Sequence, residues 1–112
     1  MAADCLFCKI VAGEIPATVV HDGPEVLAFA DLAPKAPTHV LVIPKRHFAD
    51  IGELAADPQA AAAVVAGVGA VAAELGVSSY RTVFNTGSDA GQTVFHVHAH
   101  LLAGRPLEWP PG

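Results

Sequence analysis

Positive charge is what this chain has least of. Six Lys and Arg stand against eleven Asp and Glu in 112 residues, a formal net charge of −5 with histidine neutral. A nucleic-acid backbone or an anionic membrane is bound through clustered basic residues, so this balance argues against both as partners. A small phosphate ligand stays open, because backbone amides hold an anion without net positive charge. Long apolar runs are missing too. No stretch approaches the roughly 20 residues of a membrane span, and the opening Met1-Ala2-Ala3-Asp4 has neither the basic nor the apolar region of a signal peptide. A cytoplasmic protein is expected. Cysteine is confined to Cys5 and Cys8. In a reducing compartment a Cys-x-x-Cys pair points to metal or redox work rather than to a structural disulfide. A thioredoxin-like pair belongs between a strand and a helix, and these two thiols lie close to the start of the chain.

What is present reads as one domain over residues 1–112, long enough to bury about two-thirds of its unfolded surface. Residues 1–4 form a loose start and residues 104–112 an extended tail. Leu6-Phe7-Cys8-Lys9-Ile10-Val11 allows a helical turn or two before Gly13 and Pro16. Residues 17–22 and 25–31 are short alternating runs around Asp22-Gly23-Pro24, a hairpin pattern. His39-Val40-Leu41-Val42-Ile43 is a β-branched run suited to a central strand covered on both faces, ended by Pro44. A weak helix signal covers residues 50–54. A clear one has Asp57 as N-cap, Pro58 at the first helical position and Gly76 as terminator. Val64, Val68, Val71 and Leu75 make one apolar stripe on it, while the opposite side is mostly Ala and Gly with Glu74 the only charge. A helix apolar on both sides predicts burial on both sides, and in so short a chain a partner subunit is the economical cover. Residues 80–85 form another strand. About five mostly antiparallel strands with one long helix and one or two short ones make an α+β domain.

The densest signal is Val94-Phe95-His96-Val97-His98-Ala99-His100-Leu101-Leu102. Alternation predicts a strand with His96, His98 and His100 on one face, about 6.6 Å between neighbours and about 13 Å between the outer two. That span is too wide for all three to grip one zinc. A nucleophilic imidazole needs an unprotonated near nitrogen and a far nitrogen bonded to an acceptor that fixes the tautomer. His98, in the middle, is placed for that role. Residues 85–93 supply Gly87, Gly91, Gln92 and Thr93 in a turn that can present backbone amides to an anion beside the histidines. Gln92, Thr93 and the outer histidines could bond the equatorial oxygens of an attacked phosphate. Separately, Cys5 and Cys8 with two imidazoles would close a tetrahedral zinc site that anchors the N-terminus. His47 and His96 are the best placed by topology.

Gly91-Gln92-Thr93-Val94-Phe95-His96-Val97-His98-Ala99-His100-Leu101-Leu102 resembles the signature of the histidine triad nucleotide-binding proteins. The stretches Asp4-Cys5-Leu6-Phe7-Cys8-Lys9-Ile10, Ala28-Phe29-Ala30-Asp31 and Trp109-Pro110-Pro111-Gly112 are similar to the branch of small purine nucleoside phosphoramidases. The resemblance implies a histidine triad fold that pairs into a dimer with a continuous sheet. It implies His98 as the nucleophile that forms a nucleotidyl-histidine, His96 and His100 around the phosphate, and His39 in support. Asp31 would accept from the ribose hydroxyls, and Phe7, Ile10, Ile15, Phe29 and Leu32 would form an apolar base slot. Asn85, Gly91, Gln92 and Thr93 would hold phosphate and leaving group, and Trp109 would approach the neighbour's site. A structural zinc on Cys5, Cys8, His47 and His96 is implied, with no cofactor needed for the chemistry. Thr93 stands where serine is common, and Ala99 is smaller than usual.

The expected activity is hydrolysis of the phosphorus–nitrogen bond of a purine nucleoside 5′-phosphoramidate by a homodimer. The alternatives are a dinucleoside polyphosphate hydrolase or nucleotidyl transferase, a metal-dependent hydrolase using two triad histidines with His47 or His39, and a non-enzymatic nucleotide-binding module.

Overall fold

The computed structural model describes residues 4–112, so residues 1–3 of the expected loose start lie outside the described residues. The first helix, α1 (Leu6–Val11), is capped by Cys5, whose Sγ accepts the Cys8 N–H at 3.3 Å. Five strands follow with helices between them: β1 (Val19–Asp22), β2 (Val26–Ala30), β3 (Thr38–Pro44), β4 (Tyr80–Val83) and β5 (Ala99–Ala103). Between β3 and β4 lie α2 (Ile51–Ala55) and α3 (Pro58–Glu74). The sheet order is β1-β2-β3-β5-β4, with every pairing antiparallel. This is the expected α+β arrangement, with β3 and β5 central.

The two faces of the sheet do different work. On one, α2 and α3 cover Val26, Ala28, Val40, Val42, Val97, Ala99 and Leu101. Gly67 permits the close approach: a Cβ there would stand 3.0 Å from Val26 Cγ2 and 3.2 Å from Val42 Cγ1. Asp57 Oδ1 accepts the Ala60 N–H at 3.0 Å, Pro58 opens α3, and Gly76, at φ +70°, follows its last turn. Val64, Val68 and Val71 are buried as the stripe requires, but Leu75 is half-exposed because it stands just past the helix end. On the other face, Phe7 of α1 packs on Leu27, Phe29, Leu41 and Ile43. That face carries the site.

One expectation needs correction. The histidine stretch is not a strand throughout, since β5 begins at Ala99 and only His100 of the three lies within it. The ladder runs out on both sides. The last pair with β4 is Val83↔His100 and the last with β3 is Val42↔Ala99. Further along, β3 ends at Pro44, which has no N–H to donate. The Val97 N–H instead reaches the Phe48 carbonyl at 2.7 Å. Alternation survives without the ladder: Val97, Ala99 and Leu101 enter the core under α3, so the histidines take the opposite side.

Candidate active site and metal centre

An open cavity of about 260 Å³ lies over the second face of the sheet. Phe7, Ile10, Ile15, Phe29, Asp31, Leu32, Thr93, His98 and His100 line it, joined by Leu6, Pro16, Ala17, Ala30, Leu41 and Val94. The first nine are sequence-predicted site residues. The others carried weaker signals: Leu6 is one helical turn before Ile10, and Leu41 faces Phe29 by strand register. The lining is mainly apolar, with Asp31, Thr93, His98 and His100 at its polar end. A flat aromatic base with a sugar phosphate at one end fits such a partition.

At that polar end the hydrogen bonds determine where the protons sit. His98 Nδ1 is 2.9 Å from the His96 carbonyl oxygen. A carbonyl only accepts, so Nδ1 carries the proton and Nε2 keeps its lone pair. The ring is buried, with its centroid 5.1 Å from Phe7 and 4.9 Å from His100 in edge contacts. Burial pushes the His98 pKa down, against opposing contributions from that hydrogen bond and from Asp31. Burial also lowers His100, to about 4, helped by the nearby His98 and His39 rings. Both imidazoles are therefore neutral near pH 7.

A second chain fixes His100. The Lys35 N–H donates to His39 Nδ1 at 3.0 Å, so the proton of neutral His39 sits on Nε2. His39 Nε2 is 2.9 Å from His100 Nδ1, which must accept, leaving the His100 proton on Nε2. His39, buried and lowered in pKa chiefly by that burial, thus sets the His100 tautomer. Asp31 Oδ2 lies 3.4 Å from His39 Nε2, while its Oδ1 accepts the Ala33 N–H at 2.8 Å. One carboxylate both caps the proline-rich turn and faces the cavity.

Among the described residues two clusters have ligand atoms close enough to share a metal ion: Cys5, Cys8, His47 and His96, and Asp31, His39 and His100. Their proton positions separate them. A metal on His39 Nε2 would move that ring's proton to Nδ1, against the Lys35 N–H, so the second set is a proton chain. In the first, His96 Nε2 is 2.8 Å from the Pro44 carbonyl and must donate to it, which presents the Nδ1 lone pair to the thiols. His96 Nδ1 lies 3.4 Å from Cys5 Sγ and 3.6 Å from Cys8 Sγ, and His47 Nδ1 lies 3.4 Å from Cys8 Sγ. Zinc bonds of about 2.3 Å to sulfur and about 2.0–2.1 Å to nitrogen at tetrahedral angles give edges of about 3.6 Å. These four residues fit that ion.

Several sequence-predicted site residues stand elsewhere. His96 is fully buried with both ring nitrogens engaged, so its ring does not line the cavity, and its tie to a cavity residue is its carbonyl, which accepts from His98 Nδ1. Gln92 is buried and spends its amide on the loop: Oε1 accepts the Gly87 N–H at 2.9 Å, and Nε2 donates to the Ala49 carbonyl at 2.8 Å. It shapes the turn before Thr93 rather than facing the cavity. Asn85 and Gly91 lie across that same loop from each other, outside the lining. Trp109 is 80% exposed beside Arg81, away from the cavity of its own chain.

A model of the HIT domain matches residues 12–107. The chain belongs to the HIT domain family. A crystal structure of a HIT family hydrolase from Legionella pneumophila has a TM-score of 0.93 and 49% identity, covering 97% of this chain and 100% of that one. A 14 kDa zinc-binding protein of Zea mays is 42% identical, over 96% of this chain and 87% of its own length. The purine nucleoside phosphoramidase of Escherichia coli is 39% identical, over 96% and 92%. Among the described residues no helix is long and apolar enough to cross a membrane.

Proposed function

We propose that this HIT protein hydrolyses the phosphorus–nitrogen bond of purine nucleoside 5′-phosphoramidates through a covalent intermediate on His98. The observation that carries the reading is the 2.9 Å contact from His98 Nδ1 to the His96 carbonyl, which leaves an unprotonated Nε2 on a ring that lines the cavity. Nε2 attacks phosphorus, a P–N bond to His98 forms, and the P–N bond to the amine breaks. The leaving amine takes a proton that the exposed Thr93 hydroxyl relays from solvent, while the His100 Nε2–H donates to a phosphate oxygen. Water then attacks the same phosphorus and loses its proton to solvent through the Thr93 hydroxyl, the nucleoside monophosphate departs, and the electron pair returns to Nε2. Asp31 accepts from the ribose hydroxyls, and Phe7, Ile10, Ile15, Phe29 and Leu32 hold the base. Asn85, Gly91 and Gln92 act by shaping the loop that presents Thr93.

Cys5, Cys8, His47 and His96 would hold a structural zinc, which ties α1 to the end of β3 and the approach to β5. That fits a cytoplasmic protein, where thiols stay reduced. The phosphoramidase named among the relatives favours this substrate class over dinucleoside polyphosphates.

We further propose a homodimer. Ala62, Val65, Ala66, Gly69 and Ala73 leave an apolar stripe of α3 exposed, and β4 is an open sheet edge beside which Trp109 stands. Pairing there would cover both and bring Trp109 toward the neighbouring subunit.

The test is His98→Asn with adenosine 5′-phosphoramidate. Nucleotide binding stays within a few-fold of the parent while kcat falls by at least about a thousandfold. Retained turnover ends the proposal.

A further inference from the structure

We infer that the thiol–imidazole metal centre and the nucleotide cavity are energetically coupled through α1, so that each site's occupant tightens the other's. The inference rests on reading the cavity as a nucleotide site and the cluster as a metal site.

Its basis is how little chain separates the two. α1 has six residues, too few to be stable alone, so its place depends on what holds its ends. Its N-cap Cys5 and its third residue Cys8 are both in the ligand set. Leu6 and Phe7, which lie between them, line the cavity, and Phe7 touches two histidines edge-on, His96 at 5.9 Å and His98 at 5.1 Å between centroids. A second connection runs through the backbone. His96 offers Nδ1 to the metal set while its carbonyl holds the Nδ1 proton of His98. Two of the three segments that bear ligands, α1 and the approach to β5, thus carry a cavity residue one or two positions away.

Without the metal, the side-chain ties from the head of α1 to His47 and His96 are thiol–imidazole contacts at 3.4–3.6 Å, longer than metal bonds. A loosened α1 takes Phe7 off the cavity wall. Conversely, a nucleotide base packed on Phe7 holds α1 in the position from which Cys5 and Cys8 bind metal. Coupling of this kind is reciprocal by thermodynamic necessity.

The experiment measures both halves on the full chain. AMP affinity is determined by calorimetry for zinc-loaded and chelator-depleted protein, and zinc affinity by competition with a chelator of known strength, with and without saturating AMP. Metal removal is expected to weaken AMP binding about tenfold, and AMP to tighten zinc by the same factor. In Phe7→Leu, which keeps all four ligands, the factor should fall toward one. Equal AMP affinity of the two forms, with zinc affinity indifferent to AMP, overturns the inference. A full factor persisting in Phe7→Leu also overturns it, because the coupling would then reflect global stability rather than α1. Zinc-loaded protein that ignores AMP, or protein that takes up no zinc, removes the underlying reading of the cavity or of the cluster, and the inference with it.

Discussion

In the proposed reaction His98 attacks only while Nδ1 keeps its proton and Nε2 stays bare, and a single carbonyl enforces both. The same logic, a backbone group deciding a tautomer, recurs at His39 through Lys35 and at His96 through Pro44. His98, His39 and His96 therefore end in three different hydrogen-bonded states, which suit the proposed nucleophile, the ring that orients His100, and the proposed metal ligand. Alternation in the sequence puts His96, His98 and His100 on one side but says nothing of their protons, because the deciding partners are set by the folded backbone. Because burial lowers His98 and His100, the acid limb of kcat/KM should lie below the ordinary histidine value of about 6.5. A group whose pKa is depressed stays neutral as pH falls through 6.5, so activity should be level from about pH 8 to below 6.5 and drop only beyond that. A pH–rate profile of kcat/KM that halves near 6.5 or above would contradict this.

At the scale of elements, what each stretch becomes was readable where local signals agree. Asp57 and Pro58 open α3, Gly76 closes it, and the run from His39 to Ile43 is a central strand. The end of the histidine strand was not readable, because it depends on where β3 reaches Pro44 and where β4 turns away. Gln92 was misplaced for a related reason: a polar residue beside a phosphate-binding turn looks available until the loop's own N–H groups and the Ala49 carbonyl are found to occupy it. Packing between elements gives a sharper test. Alanine is the better helix former than glycine by about 1 kcal/mol. Yet Gly67→Ala drives a methyl against Val26 and Val42, two buried β-branched side chains with little room to turn. Strain should outweigh propensity, and thermal or denaturant unfolding should show a net loss of about 1–2 kcal/mol. A stabilised Gly67→Ala would mean that the helix–sheet spacing is looser than described.

For the whole molecule, both faces of the sheet are covered, but one side of α3 and the edge of β4 remain open. That imbalance was legible in the Ala and Gly content of α3, since neither residue makes a solvent-facing side polar. Val65, two-thirds exposed at the middle of the open stripe, is the position to probe. Val65→Glu places a charge where the proposed subunits meet, and size-exclusion with light scattering should show the parent dimer shifted to monomer at micromolar concentration. An unaltered dimer would put the interface elsewhere. The cavity itself draws on α1, β2, β3 and the approach to β5, so its assembly could be anticipated only through the family resemblance and not from any one segment.

The most direct measurement is a mass spectrum of the protein quenched within seconds of mixing with adenosine 5′-phosphoramidate, followed by peptide mapping. A single adenylyl group is expected on His98, absent from His98→Asn. Rapid turnover with no adduct on the parent, or an adduct on His96 or His100 instead, would contradict it.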